Sequence, residues 1–260
     1  MPAAATETTV LLTQEQIEAF HSEGYLTLDA ITTPEEVARL RDIYDRLFAE
    51  HGKRGVSTDY DLAAPKEAGK APLLPQIGDP KGLAPELEFT QFRANALAVA
   101  RQLFGPEANY RGEHMIFKPA RTAPETPWHQ DQAYHNPNFN YRNVNFWLPL
   151  QEANLENGCM QFVPHSHTWD VLPHHHINHD PRIHGLEADG AERFHRTAVA
   201  CPIPAGGATL HHSCMLHYAG ANRSDLPRRA YIMVFSVPPV PRQTPRTFAW
   251  QAENPAKMGE

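Results

Sequence analysis

The sequence predicts a single α+β domain with a mainly antiparallel β core and its helices gathered at the N-terminal end. Three observations carry this. Helix signals occupy residues 1–107, and from residue 108 onward short alternating runs separated by turn residues replace them. The 24 prolines fall mostly in the second half, where they favour short strands and loops over long helices. No internal repeat or low-complexity tract divides the chain. Helices followed by strands then fit one domain over 1–260: a helical part (1–107), a sandwich or barrel core (108–240) and a tail (241–260).

The elements follow in order. Thr13 with Gln16 three residues later is a capping-box pattern, Ile17 and Phe20 share the face that follows, and Gly24 is placed to end the helix. Tyr25, Leu26 and Leu28 read as a short strand. Thr33-Pro34-Glu35-Glu36 starts a second helix, with Glu36 expected to close a capping box and Val37, Leu40, Tyr44, Leu47 and Phe48 at helical spacing. Residues 51–83, rich in Gly, Pro, Lys and Ala, read as a long loop that is mobile without substrate and closes as a lid. A third helix is predicted from about Pro85 to Leu103, ending at Gly105. Strand candidates are Met115–Phe117, Asn143–Leu150, Met160–Val163, Ala208–His217 as one unbroken strand, and Arg229–Val237.

Composition excludes several classes. The formal net charge is −7 with histidine neutral, which argues against nucleic acid as a partner. No apolar run approaches the roughly 18 residues of a membrane helix, and the N-terminus lacks the basic region of a secretory signal. Cys159, Cys201 and Cys214 are odd in number with no CxxC, so neither a disulfide scaffold nor a zinc knuckle is expected. A cytoplasmic protein acting on a small molecule, away from membranes, is the expectation, with monomer and homodimer both open.

Sixteen histidines invite a metal hypothesis. In a strand, side chains at i and i+2 point to one face, so His129 and Asp131 in Trp128-His129-Gln130-Asp131 would converge as two ligands of a divalent ion. On an unbroken strand through 211–217, Thr209, His211, Ser213, Met215 and His217 would share a face. One more imidazole from it would complete a two-histidine, one-carboxylate triad of the kind that leaves positions open on non-haem Fe(II). Arg228-Arg229 stands 11 residues after His217 at the head of the next strand, and arginine grips a carboxylate with two parallel hydrogen bonds. By itself each segment has an ordinary reading: a surface histidine beside an acid, a solvated basic pair, a turn and a strand.

Together they resemble the phytanoyl-CoA dioxygenase family of Fe(II)/2-oxoglutarate oxygenases. Four segments match in order: W-H-Q-D (128–131), N-F-W-L-P-L with Trp147, N-G-C-M-Q-F-V-P-H-S-H (157–167) and L-H-Y-A-G-A-N-R-S-D-L-P-R-R-A (216–230), within a resemblance spanning roughly 11–240. The resemblance implies a double-stranded β-helix, or jelly-roll, with the N-terminal helices packed on one sheet. It implies that His129, Asp131 and His217 hold Fe(II), and that Arg228 holds the distal carboxylate of the cosubstrate 2-oxoglutarate. The interval to Arg228 selects His217 over His211 and His212. Trp147, Thr209 and either His114 or Met115 would line the cosubstrate pocket. Gln76, Arg111, Tyr134 and Tyr141, with Tyr110 and Phe139, are candidates for the substrate pocket or its lid. Asn222 would fix a loop or contact the cosubstrate.

The implied activity consumes 2-oxoglutarate and O2, releases succinate and CO2, and hydroxylates an aliphatic carbon of a small metabolite or natural-product intermediate. The alternatives are a cupin-type metal dioxygenase or isomerase without 2-oxoglutarate, and a non-catalytic binding homologue. Two departures stand out. His165 replaces a glycine in the family's P-G-S-H turn, and Tyr218-Ala219 replaces the Gly-Ser that often follows the distal histidine. The His174-His175-His176 run is expected to be a loop, and no basic patch is evident for a CoA diphosphate unless Lys66, Lys70 and Lys81 provide one.

Overall fold

The computed structural model describes residues 8–65 and 70–252. Helix α1 (Gln14–Glu23) has the predicted capping box: Thr13 accepts from Gln16 N–H and Gln16 accepts from Thr13 N–H. It ends at Gly24, whose φ of 86° is cheap only for glycine. Strand β1 (Tyr25–Leu28) follows. Helix α2 (Pro34–Ala49) is capped by Thr33 and has Pro34 in its first turn, but Glu36 does not close the box. Its carboxylate instead accepts from the backbone N–H of Gln91 and Phe92, both at 2.7 Å, and so ties α2 to the start of the next long helix.

Residues 51–83 are not one aperiodic loop. Strands β2 (Asp59–Asp61) and β3 (Pro75–Gly78) and a helical turn at Pro80–Leu83 lie within them. The β2–β3 hairpin extends the edge of the main sheet. The helix expected from Pro85 is split: a 3-10 turn covers Pro85–Phe89, and α3 (Gln91–Phe104) starts only after Thr90, whose hydroxyl accepts from Arg93 N–H.

The β core contains β4 (Asn109–Lys118), β5 (Thr126–His129), β6 (Asn143–Pro149), β7 (Met160–Phe162), β8 (His174–His176), β9 (Leu186–Ala188), β10 (Val199–Cys201), β11 (Ala208–His212), β12 (His217–Ala219) and β13 (Arg228–Ser236). The major sheet has seven strands in the order β1-β11-β6-β13-β4-β3-β2, and the minor sheet four in the order β10-β7-β12-β5. All pairings within them are antiparallel. This is a jelly-roll. Its outer face carries the helices over Phe92, Ala96, Val99, Phe146, Tyr231 and Phe235, and a second apolar cluster around Trp147, Met160, Phe162 and Ile232 fills the space between the sheets. No helix among the described residues is long and apolar enough to cross a membrane.

Four local findings bear on the site. The strand expected over Ala208–His217 is broken: β11 belongs to the major sheet and β12 to the minor one. The intervening turn is held by Met215 N–H on His212 O at 2.8 Å and Ser213 N–H on the Asn143 side chain at 3.2 Å. His165 adopts the glycine-like conformation of the family's turn, with φ of 65°, and its N–H donates to Glu23 O at 3.0 Å. Asn222 has the loop-fixing role, its amide donating to the carbonyls of Lys118, Pro119 and Leu226 at 2.9–3.1 Å. The stretch expected as a tail folds back: Phe248 and Trp250 are buried, and the Trp250 indole donates to Ala133 O at 2.9 Å.

Candidate metal centre

His129 ends β5 and His217 begins β12, and the two are cross-strand partners. Register therefore brings their rings together, tilted by 50° with centroids 4.1 Å apart. Asp131 lies just past the strand. Gln130 keeps the extended conformation (φ −118°, ψ 125°) that turns residues 129 and 131 to one side, and Asp131 then opens a 3-10 turn. Each histidine is oriented by the carbonyl two residues before it: Nδ1 of His129 lies 2.7 Å from Pro127 O, and Nδ1 of His217 lies 2.8 Å from Met215 O. A carbonyl only accepts, so Nδ1 carries a hydrogen in both and Nε2 is the ring nitrogen left facing Asp131.

Asp131 Oδ1 lies 3.5 Å from His129 Nε2 and 3.6 Å from His217 Nε2. The three ligand atoms lie within 4.8 Å of one another, and among the described residues no second group of this kind occurs, the His174–His176 strand included. Burial alone would raise the Asp131 pKa. The imidazoles around it, His217 first and then His129 and His211, outweigh it and hold the carboxyl well below its usual range. Burial, followed by the charge of His129, keeps His217 well below the ordinary histidine value and so neutral. Two imidazoles and an ionised carboxylate on one face of a cavity suit a divalent first-row metal.

A cavity of about 280 Å³ runs from these ligands to Arg228. Arg228 is 1% exposed, and its Nε and Nη1 have no hydrogen-bond partner among the described residues. Burial pushes its pKa down to about 10, and its guanidinium carbon sits 5.2 Å from the Trp147 ring centroid. Thr209 is Trp147's cross-strand partner and is fully buried, with an unpartnered hydroxyl. Arg229 faces the other way and pairs with Asp45 of α2 at 2.6 Å. A buried guanidinium with two unpaired nitrogens at the wall of the cavity is a place for a carboxylate.

Of the other residues singled out in the sequence, His114, Gln76 and Tyr134 line the cavity. Burial lowers the His114 pKa to about 4. Gln76 donates to the Tyr60 hydroxyl and leaves its buried Oε1 unpartnered. Met115, Arg111, Tyr141 and Thr209 do not line it. Strand alternation turns Met115 into the core beneath the helices, Arg111 is exposed, and Tyr141 packs on the His135 ring at 4.7 Å. Sequence reasoning missed Tyr60, Leu62, His135, His184, Asn145 and His211, all of which line the cavity. Asn145 was legible, two residues from Trp147 on an alternating strand; Tyr60 and Leu62 were hidden because their segment read as loop.

The sequence profile of the phytanoyl-CoA dioxygenase (PhyH) family matches residues 20–230. The chain belongs to the phytanoyl-CoA dioxygenase family. It is similar to EvdO2 from Micromonospora carbonacea var. aurantiaca, whose crystal structure is a complex with 2-oxoglutarate: identity is 39%, the TM-score 0.80, and the match covers 94% of this chain and 98% of that one. A probable alpha-ketoglutarate-dependent hypophosphite dioxygenase of Stutzerimonas stutzeri is 25% identical over 226 residues, 85% of this chain and 78% of the relative. Phytanoyl-CoA dioxygenase domain-containing protein 1 of Danio rerio is 26% identical over 260 residues, 85% and 89% of the two chains. By family and by these neighbours this phytanoyl-CoA dioxygenase family member is an Fe(II)/2-oxoglutarate-dependent dioxygenase.

Proposed function

We propose that His129, Asp131 and His217 hold Fe(II), that Arg228 beside Trp147 holds the distal carboxylate of 2-oxoglutarate, and that the enzyme hydroxylates an aliphatic carbon of a small, polar, uncharged molecule. The observation that carries this is a partnerless buried guanidinium at one end of the cavity whose other end is the His-Asp-His group. The iron, when bound, supplies the chemistry by which O2 and 2-oxoglutarate become succinate, CO2 and an oxidised substrate.

The chain's own residues bind, orient and shield. The Nδ1 contacts of His129 and His217 orient both rings so that Nε2 faces Asp131, which sets the ligand atoms together before metal binds. Trp147, Met160, Ile232 and Val234 give the cavity apolar walls that exclude water from the reacting atoms. Tyr60, Leu62 and Gln76 bring the 51–83 segment to the cavity wall, which supports its role as a cover over bound substrate. The substrate end offers neutral hydrogen-bonding groups, among them Gln76 and Tyr134. Of the lysines considered for a CoA diphosphate, Lys81 pairs with Glu88 at 2.6 Å and Lys66 lies outside the described residues. A polar uncharged molecule therefore fits better than a thioester.

The test has two arms. Anaerobic addition of Fe(II) and 2-oxoglutarate should give their metal-to-ligand charge-transfer band. In air, succinate release screened over a metabolite library should rise with the true substrate, and mass spectrometry of its product should show one added oxygen. A charge-transfer band with a product lacking that oxygen would refute hydroxylation while leaving the cosubstrate assignment standing.

A further inference from the structure

Asp131 has two oxygens, and their surroundings differ. Oδ1 faces the Nε2 atoms of His129 and His217. Oδ2 accepts a hydrogen bond from Asn145 Nδ2 at 2.5 Å and lies 3.1 Å from His211 Nε2. Asn145 and His211 are cross-strand partners on β6 and β11 of the major sheet, 4% and 3% exposed, so they reach Asp131 from the sheet opposite the strands that carry His129 and His217. His211 Nδ1 is buried with no hydrogen-bond partner among the described residues, which leaves Nε2 as the engaged ring nitrogen. A carboxylate oxygen only accepts, so Nε2 carries the hydrogen and gives it to Oδ2. His211 does not belong to the group of ligand atoms that lie within 4.8 Å of one another, although its ring stands only 4.5 Å from that of His217.

The geometry points to His211 and Asn145 as positioning residues that hold Asp131 Oδ2, so that the aspartate meets the metal through Oδ1 alone. A carboxylate with both oxygens free can swing into two-point coordination. On a three-ligand face that would consume a position needed by 2-oxoglutarate or O2. Two buried donors on one oxygen oppose the swing: turning Oδ2 to the metal would leave the amide and the imidazole unsatisfied in a site that water does not reach freely. His211 and His217 are thereby separated by role, although the sequence sets them only six residues apart. The inference rests on the assignment of iron to His129, Asp131 and His217.

The test uses the full chain, metal-loaded under anaerobic conditions. Fe(II) affinity is measured by chelator competition, and Co(II) absorption reports coordination number. His211→Leu should weaken Fe(II) binding about 10–100-fold and weaken the Co(II) visible bands as coordination number rises. His211→Gln, whose amide donor can take the place of Nε2–H, should return both to near wild-type. Asn145→Ala removes the other donor without touching an imidazole and should shift the Co(II) bands in the same direction, which keeps the test valid should His211→Leu fail to fold. Wild-type affinity and bands in His211→Leu, or unchanged bands in Asn145→Ala, would overturn the proposal. Equal damage in His211→Gln and His211→Leu would overturn it too, by reducing His211 to packing. Loss of metal in His211→Leu with retention in His217→Ala would instead overturn the ligand assignment beneath it.

Discussion

Replacing Arg228 by methionine separates binding from folding in one variant. The guanidinium is buried, holds no acid, and leaves Nε and Nη1 unpaired. Without cosubstrate it is a desolvated charge, which is why its pKa falls to about 10. Methionine fills similar volume without that penalty, and replacing buried charge with apolar groups is often neutral or stabilising. The melting temperature of cosubstrate-free Arg228→Met should therefore equal or exceed wild-type. With 2-oxoglutarate the sign reverses. The cosubstrate carboxylate loses its partner, at a typical cost of about 3–5 kcal/mol, or roughly two to three decades or more of affinity at ~1.4 kcal/mol per decade. At one hundred times the wild-type dissociation constant, 2-oxoglutarate should stabilise the wild-type by about 2.7 kcal/mol and the variant hardly at all. Thermal shift and anaerobic charge-transfer titration read the two effects. Arg229→Met loses only a half-exposed pair with Asp45, worth about 0–1 kcal/mol, and should bind 2-oxoglutarate normally. Cosubstrate affinity within threefold of wild-type in Arg228→Met, or a larger defect in Arg229→Met, would refute the reasoning.

Three further outcomes are expected. Alanine at His129, Asp131 or His217 should each abolish succinate release and sharply weaken Fe(II) binding; turnover near wild-type in any one would remove it from the ligand set. Gly158→Ala should cost at least about 2 kcal/mol in denaturant melts, because φ is 86° and a Cβ there would run into the carbonyl oxygen of Gly220. Burial lowers the pKa of both His174 and His212 to about 4. Unfolded histidines, near 6.5, take up protons that the folded ones refuse. Their contribution is thus complete above about pH 6.5 and is lost as pH falls toward 4, by up to ~1.4 kcal/mol per pH unit per histidine. A melting temperature flat between pH 7 and 5 would contradict this.

Sequence alone determined the local starts and stops and the identity of the chemistry. Thr13 with Gln16, Thr33 with Pro34, and Gly24 act on neighbours within one helical turn, so their roles depend on few distant residues. The His129-x-Asp131 pair was legible because an extended backbone turns residues i and i+2 to one side, whereas the His217-to-Arg228 interval gained its meaning only through the family resemblance. The tertiary structure decided what depends on pairing between distant strands. It broke Ala208–His217 across two sheets, so His211 and His217 meet from opposite sides rather than along one face. It chose His114 over Met115, because alternation says only that the two diverge and not which faces the cavity. It made 59–61 and 75–78 into edge strands, the first paired with the second and the second with β4, although their own sequence carries little pattern. It also turned Glu36 from a local cap into a tether for α3, since a carboxylate goes to whichever unsatisfied N–H groups the packed fold brings within reach.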